Sequence, residues 1–374
     1  MTVGKLVAAA LTPKVFIIDF YNDEGAIWYG IPEFDLLAQN TSVPGLSPRY
    51  PDVHCTQDGT ICQVVTDEGE INAASSISAL VASPAFDLRQ TYFLLAGIAG
   101  ISPELATLAS VTFGKFAVQV ALQYEIDPSE LPANWSATGG FIPQGTSDPN
   151  AYPAYIYGTE VFQLNDALRQ RAIAFAQNAT LADSTTAQAY RALYNSSATF
   201  AAGSRPPSIV ACDTATSDNW WSGNVLAAEF ERTTKLFTAG AGTYCTTQQE
   251  DNAVHGALVR GNVAGRVDFS RVISIRTGSD FDRPPPGMSA SDNLFNGQSA
   301  GYEASIENIY RAGVKVVQGI VNEWNVTFAA GVPTNNYVGD MLGSLGGSPP
   351  YGPYAKQVAT RFQSTKRRGR TRMR

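Results

Sequence analysis

The chain reads as a single α/β domain carrying loop insertions. Apolar runs of strand length, rich in β-branched or aromatic residues, recur as VFIIDF at 15–20, ICQVVT at 61–66, YFLLA at 92–96 and VISIRT at 272–277. Segments of helical spacing follow several of them, and that alternation is the signature of a sheet flanked by helices. The 374 residues are 44% apolar and 16% charged, enough to build a sizeable core. No internal repeat is visible.

Taken in order, the strand at 15–20 ends in a polar turn from Tyr21 to Gly25. Residues 31–60, rich in Pro, Ser and Gly, read as a long excursion. The strand at 61–66 leads through a Gly turn at 69–72 into a helix over AASSISALVAS. The strand at 92–96 breaks into Gly97-Ile98-Ala99-Gly100, and strand character returns within 105–120. Residues 128–157 are loop-rich, and 160–177 show helical spacing through Val161, Leu164, Leu168, Ile173 and Phe175. A small helical element covers 184–199, and SIVAC at 208–212 is a strand that leads into Thr216-Ser217-Asp218-Asn219-Trp220-Trp221. A helix carries Leu226, Phe230 and Leu236. Residues 244–259 combine a polar start with a helix that has Glu250 near its N-terminal end. The strand at 272–277 then stops at Thr277-Gly278 and delivers Asp280 and Asp282 to a loop, before a long helix at 302–324.

The four cysteines are Cys55, Cys62, Cys212 and Cys245; the first two flank a turn short enough for a local bridge, with three connectivities formally open. Acceptor sequons occur at Asn40, Asn134, Asn178, Asn195 and Asn325. Together these features predict a secreted glycoprotein. No apolar stretch approaches the ~18 residues of a membrane span, so no membrane is expected as a partner. The segment VGKLVAAALTPK reads equally as the end of a signal region or the start of the mature chain. Net charge is -7, and the tail cations Lys366, Arg367, Arg368, Arg370, Arg372 and Arg374 supply +6, which leaves -13 on residues 1–365. Such a body repels phosphate backbones, which excludes nucleic acid as a partner.

Only two histidines exist, His54 and His255, so a His-ligated metal is not expected. Neither a Gly-x-Ser-x-Gly elbow nor a Walker loop is present. Three carboxylates fall at strand ends or a helix start: Glu24, Glu250 and Asp280. One to activate water, one to grip hydroxyls and one to protonate a leaving group is the division that a glycosidic bond requires.

The segments GEINAASSISAL (69–80), LLAGIAGISPELATLASVTF (94–113), SDNWWSG (217–223), GTYCTTQQEDNA (242–253) and RTGSDFDRP (276–284) closely resemble the fungal purine nucleoside permease family. The resemblance runs over roughly residues 13–332. It implies the three-layer α/β/α fold of the nucleoside phosphorylase and nucleosidase superfamily, with a twisted mixed central sheet. A catalytic domain over 13–360 would then lie between an N-terminal segment, 1–12, and a basic tail, 361–374.

Residue by residue, the resemblance places Asp280, beside Ser279, at N7 of a purine. It places Glu250 on the ribose hydroxyls next to Gln249, where the superfamily has Met. Gly97 belongs to the turn that shapes the ribose pocket, and Phe162 and Trp221 are the aromatics expected at the base. Phosphorylases of the superfamily carry an Arg and a Ser where this chain has Leu95 and Ile98, and its first loop offers Asn22-Asp23-Glu24 in place of an Arg. The expectation is a metal-independent purine nucleosidase without a cofactor, in which Glu24 positions water. By superfamily analogy it is a homodimer. The competing readings are a nucleoside binding or uptake protein without turnover, a phosphate-dependent phosphorylase, and a calcium-dependent hydrolase using Asp19, Asp23 and Glu24.

Overall fold

Every residue of β1 (Val15–Asp19) is buried, because alternate side chains of a strand face opposite sides and here both sides are covered. Phe16 and Ile18 pack with Ile77, Leu80, Val254 and Leu258. Val15 and Ile17 pack with Leu168, Ile309, Val316 and Ile320. Helix, sheet and helix therefore form three layers.

The computed structural model describes residues 9–132, 139–297 and 300–352. Asn134 and the 361–374 tail lie outside them. After β1 come α1 (Asn22–Ala26), β2 (Gln39–Ser42), β3 (Asp52–Cys55), β4 (Ile61–Val65), α2 (Glu70–Ala82), β5 (Tyr92–Ile101), β6 (Val111–Gly114) and β7 (Phe116–Gln119). Next are β8 (Tyr124–Glu125), β9 (Phe141–Ile142), β10 (Val161–Gln163), α3 (Asp166–Ala176), α4 (Thr185–Arg191), β11 (Ile209–Ala211), β12 (Asp213–Thr216) and α5 (Asn224–Phe237). The described chain continues with β13 (Tyr244–Gln248), α6 (Asp251–Val263), β14 (Val272–Phe281), α7 (Ala290–Asn296), α8 (Tyr302–Asn322) and β15 (Gly339–Asp340). Among the described residues thirteen strands make one sheet, and β8 pairs with β9 apart from it. The large sheet is mixed: β1 runs parallel to β4 and β5, whereas β13 is antiparallel to β5.

Several expectations are corrected. The turn after β1 is the short helix α1. Residues 31–60 contain β2 and β3, and the 160–177 segment begins as strand β10 rather than helix. The polar start at 244–248 is a fully buried strand. Neither β5 nor β14 stops where its apolar run ends: β5 continues through Gly97 and Gly100, and β14 continues through Asp280 with a bulge between Gly278 and Asp280.

The disulfides are Cys55–Cys62, across the β3–β4 hairpin, and Cys212–Cys245, which ties the start of β12 to β13. Asn40, Asn178, Asn195 and Asn325 are exposed. Among the described residues no helix is long and apolar enough to cross a membrane.

Candidate active site

The site forms where β5 changes partners. Along one edge β5 pairs with β14 from Phe93 to Ile101. Along the other edge β1 pairs with residues 92–95, and β13 pairs with Gly100 and Ile101. Residues 96–99 have no strand on that second edge, yet buried backbone groups must be paired. Side chains fill the gap. Glu24 Oε1 accepts from Ile98 N at 2.7 Å, and Arg276 Nη1 donates to Ile98 O at 3.0 Å. Gly97 makes room for both, since a β-carbon there would lie 2.7 Å from Arg276 Nη1 and 2.8 Å from Glu24 Oε1.

Glu24 sits in the first turn of α1, where free N–H groups favour an anion. Its Oε2 accepts from Phe20 N at 2.8 Å and Tyr21 N at 3.3 Å. Burial, reinforced by the nearby Glu250, pushes its carboxyl up to about 8 despite these donors and Arg276. Oε1 keeps a lone pair beyond the Ile98 bond for a further donor.

Arg276 is 2% exposed and lies 4.0 Å over the Phe20 ring. Its Nη2 bonds Asp251 Oδ1 at 2.6 Å and Glu250 Oε2 at 3.1 Å, and its Nε bonds Asp251 Oδ1 at 3.1 Å. The cation is therefore committed to protein carboxylates. Glu250, between β13 and α6, also accepts from Gly69 N at 3.1 Å and Gln249 N at 3.3 Å. Burial raises its carboxyl and Arg276 opposes the rise.

Asp280 follows the bulge in β14. Its Oδ1 lies 2.7 Å from Ser279 Oγ, which is 3.1 Å from Ala99 O. A hydroxyl has one proton to give. Ser279 donates to an ionised Asp280, or to Ala99 O while accepting from a protonated one. Burial lifts the Asp280 carboxyl to about 6, against the Ser279 and Trp220 hydrogen bonds. Asp282 is set apart from this chemistry: Arg283 Nε and Tyr244 Oη bond its two oxygens at 3.1 and 2.6 Å.

These groups line a cleft of about 210 Å³. Glu24, Gln249, Glu250, Ser279, Asp280 and Trp221 all face it, and Gly97 backs the Glu24–Arg276 contact. Phe162 does not: it is buried on β10 against His255 and Phe269, because the strand that replaces the expected helix turns the ring into the core. The aromatic walls are instead Phe20, Tyr21, Tyr302 and Trp220, with Trp221. Sequence reasoning named Trp221 but missed Phe20, Tyr21, Tyr302 and Trp220, and it missed Arg276, although an arginine inside an apolar strand run was a visible signal. Asp19, Asp23 and Glu24 do not converge as a cation cluster: Asp19 is held by Trp28 Nε1 and Gln63 Nε2, and Asp23 by Tyr302. Among the described residues no group of three or more metal-ligating side chains occurs.

The family model and the sequence relatives agree in family. A purine nucleoside permease family model matches residues 12–333. A purine nucleoside permease of Candida albicans is 46% identical over 350 residues, covering 92% of this chain and 84% of the relative. A Schizosaccharomyces pombe relative described in the same terms is 43% identical over 321 residues, covering 84% and 90%. A 5′-methylthioadenosine/S-adenosylhomocysteine nucleosidase from Neisseria meningitidis, solved with methylthio-immucillin-A, superposes with TM-score 0.47 at 14% identity, covering 82% of this chain and 99% of that one. On the family match and the two fungal relatives, the chain belongs to the purine nucleoside permease family.

Proposed function

We propose that the protein is a purine nucleosidase that hydrolyses the N-glycosidic bond of purine ribonucleosides to free base and ribose. The observation that carries this reading is the convergence of Glu24, Glu250 and Asp280 at the partner change of β5, each carboxyl raised by burial. Raised carboxyls clustered in a cleft are characteristic of acid–base sites. Family membership supports a purine nucleoside as the ligand.

In this reading Asp280 gives its proton to purine N7 as the C1′–N9 bond breaks and its electron pair enters the ring. Glu250 accepts hydrogen bonds from the ribose hydroxyls through its remaining lone pairs. Water, held by Glu24 Oε1, bonds to C1′ and passes its proton to Glu24.

Water is favoured over phosphate by the charges. A phosphate dianion needs uncommitted donors to leave solvent. Arg276, the one Arg or Lys among the described lining residues, is bound to Glu250 and Asp251. The N-terminus of α2, a natural anion site, is also occupied: Gly69 N donates to Glu250 and Glu70 N to Asp218 Oδ1 at 2.7 Å.

Binding and uptake without turnover is the second reading, and the names of the relatives favour it. Incubation with adenosine, guanosine and inosine, with and without phosphate, separates the possibilities. Free base and ribose without phosphate is the expected result. Ribose 1-phosphate formed only with phosphate overturns hydrolysis in favour of phosphorolysis, and saturable binding of intact nucleoside overturns it in favour of carriage. The two disulfides and the exposed sequons support export through the secretory pathway.

A further inference from the structure

The cleft has a phenolic end that the proposed reaction does not use. Tyr21 and Tyr302 both line it. Their hydroxyls are 2.7 Å apart, and the Tyr302 hydroxyl is 2.6 Å from Asp23 Oδ2. Asp23 stays ionised, since the Tyr302 hydrogen bond, then that from Asn22, holds its carboxyl below the usual range. An ionised carboxylate only accepts, so the single Tyr302 proton goes to Asp23. Tyr302 can then only accept from Tyr21, and the single Tyr21 proton goes to Tyr302. The chain is polarised outward, and what Tyr21 offers a ligand is oxygen lone pairs without a proton.

A group meeting that oxygen must donate. Tyr21 directly precedes the α1 turn that carries Glu24, so this end adjoins the sugar rather than the base, which sits at Asp280. The sugar group that projects from the ring here and can donate is the 5′-hydroxyl. A 5′-phosphate offers only acceptors at neutral pH and also meets Glu24 and Glu68, while Arg276 is committed elsewhere. A 5′-deoxy sugar offers nothing.

We infer that Tyr21, polarised through Tyr302 and Asp23, is the specificity-determining acceptor for the 5′-hydroxyl, so that the site takes nucleosides with a free 5′-hydroxyl and rejects nucleoside 5′-phosphates. The inference rests on the nucleoside reading of the cleft but not on turnover.

The test is calorimetric binding of adenosine, 5′-deoxyadenosine and adenosine 5′-phosphate to the wild-type chain, Tyr21→Phe and Tyr302→Phe. One neutral hydrogen bond corresponds to roughly 3- to 10-fold in Kd. The wild type is expected to favour adenosine over 5′-deoxyadenosine by about that factor, and over the 5′-phosphate by more. Tyr21→Phe should weaken adenosine to the level of 5′-deoxyadenosine and leave the latter unchanged. Tyr302→Phe frees the Tyr21 proton to face the cleft and should narrow the gap between adenosine and its 5′-phosphate. Equal wild-type affinity for adenosine and 5′-deoxyadenosine, or equal weakening of both by Tyr21→Phe, overturns the proposal. If these ratios hold while no base is released, the acceptor role stands and the hydrolase reading falls. If base is released without the ratios, hydrolysis stands and the acceptor role falls.

Discussion

Under the proposed hydrolysis Glu24 and Asp280 face opposite demands at one pH: a base must be ionised and an acid protonated. With carboxyls near 8 and 6 respectively, the two share a single proton at intermediate pH that rests chiefly on Glu24, and the productive arrangement is the minority one with that proton on Asp280. It is most populated between the two values. The expected kcat/KM profile is therefore bell-shaped, with limbs near pH 6 and 8 that belong to the pair. Asp280→Asn should lower turnover by roughly 10²-fold or more and remove the alkaline limb, where the acid loses its proton, while Glu24→Gln should remove the acid limb, where the base is protonated. A wild-type rate in Asp280→Asn would sink the assignment. The three carboxylates were legible because each lies where a strand or helix begins or ends. Arg276 was not, because its role depends on Asp251 and Glu250 across a long chain separation, and the apolar run around it reads as core. Phe162 misled because an aromatic beside a helical pattern looks the same whether it faces a cleft or His255.

At the level of elements, β5 decides the geometry. Its glycines read as a break in the sequence, yet the strand continues and the missing side chains admit functional groups from other elements. Gly97 adopts no left-handed backbone conformation, so alanine there is a purely steric test. Its methyl would collide with Arg276, Phe20 and Glu24, all within 2.8 Å. Overpacking of this kind costs about 1–3 kcal/mol, and displacement of a catalytic group by an ångström can cost ~10²-fold in rate. Gly97→Ala should thus lose kcat far more than its modest drop in Tm suggests, as steady-state kinetics and thermal melting would show; wild-type kcat would mean the Glu24–Arg276 spacing is not critical. The strands β1 and β4 and the helices α2, α5 and α8 were legible from their apolar patterns. β13 was not, because YCTTQ buries polar side chains, among them Gln248, whose Oε1 accepts from the N–H groups of Glu250 and Asp251 at 2.7 and 2.8 Å. Hydropathy cannot register that compensation.

Across the whole molecule, alternation of strands and helices was enough to predict an α/β architecture, because local periodicity reports which faces are covered. The partner change of β5 was not legible, since Gly100 meets Thr247 through a pairing that no local pattern encodes. The same burial that assembles the site sets how the fold responds to pH. Glu24 and Asp280 are raised to about 8 and 6, and burial also raises Asp19, Glu70, Asp213, Glu229, Glu250 and Asp282. A carboxyl whose folded value lies above its unfolded one binds its proton more tightly in the native state. Its contribution is complete below the unfolded value and is lost as pH rises through the folded value. For Asp280 the loss spans about pH 4 to 6, and for Glu24 it extends to about 8. The fold should therefore be more stable at pH 5.5 than at pH 8.5, with Tm lower at the higher pH by on the order of 5 °C. Glu24→Gln, which cannot ionise, should flatten the upper part of that decline. A wild-type Tm that rises across the interval would show that Glu24 is ionised in the native state throughout, with its three backbone donors and Arg276 outweighing burial.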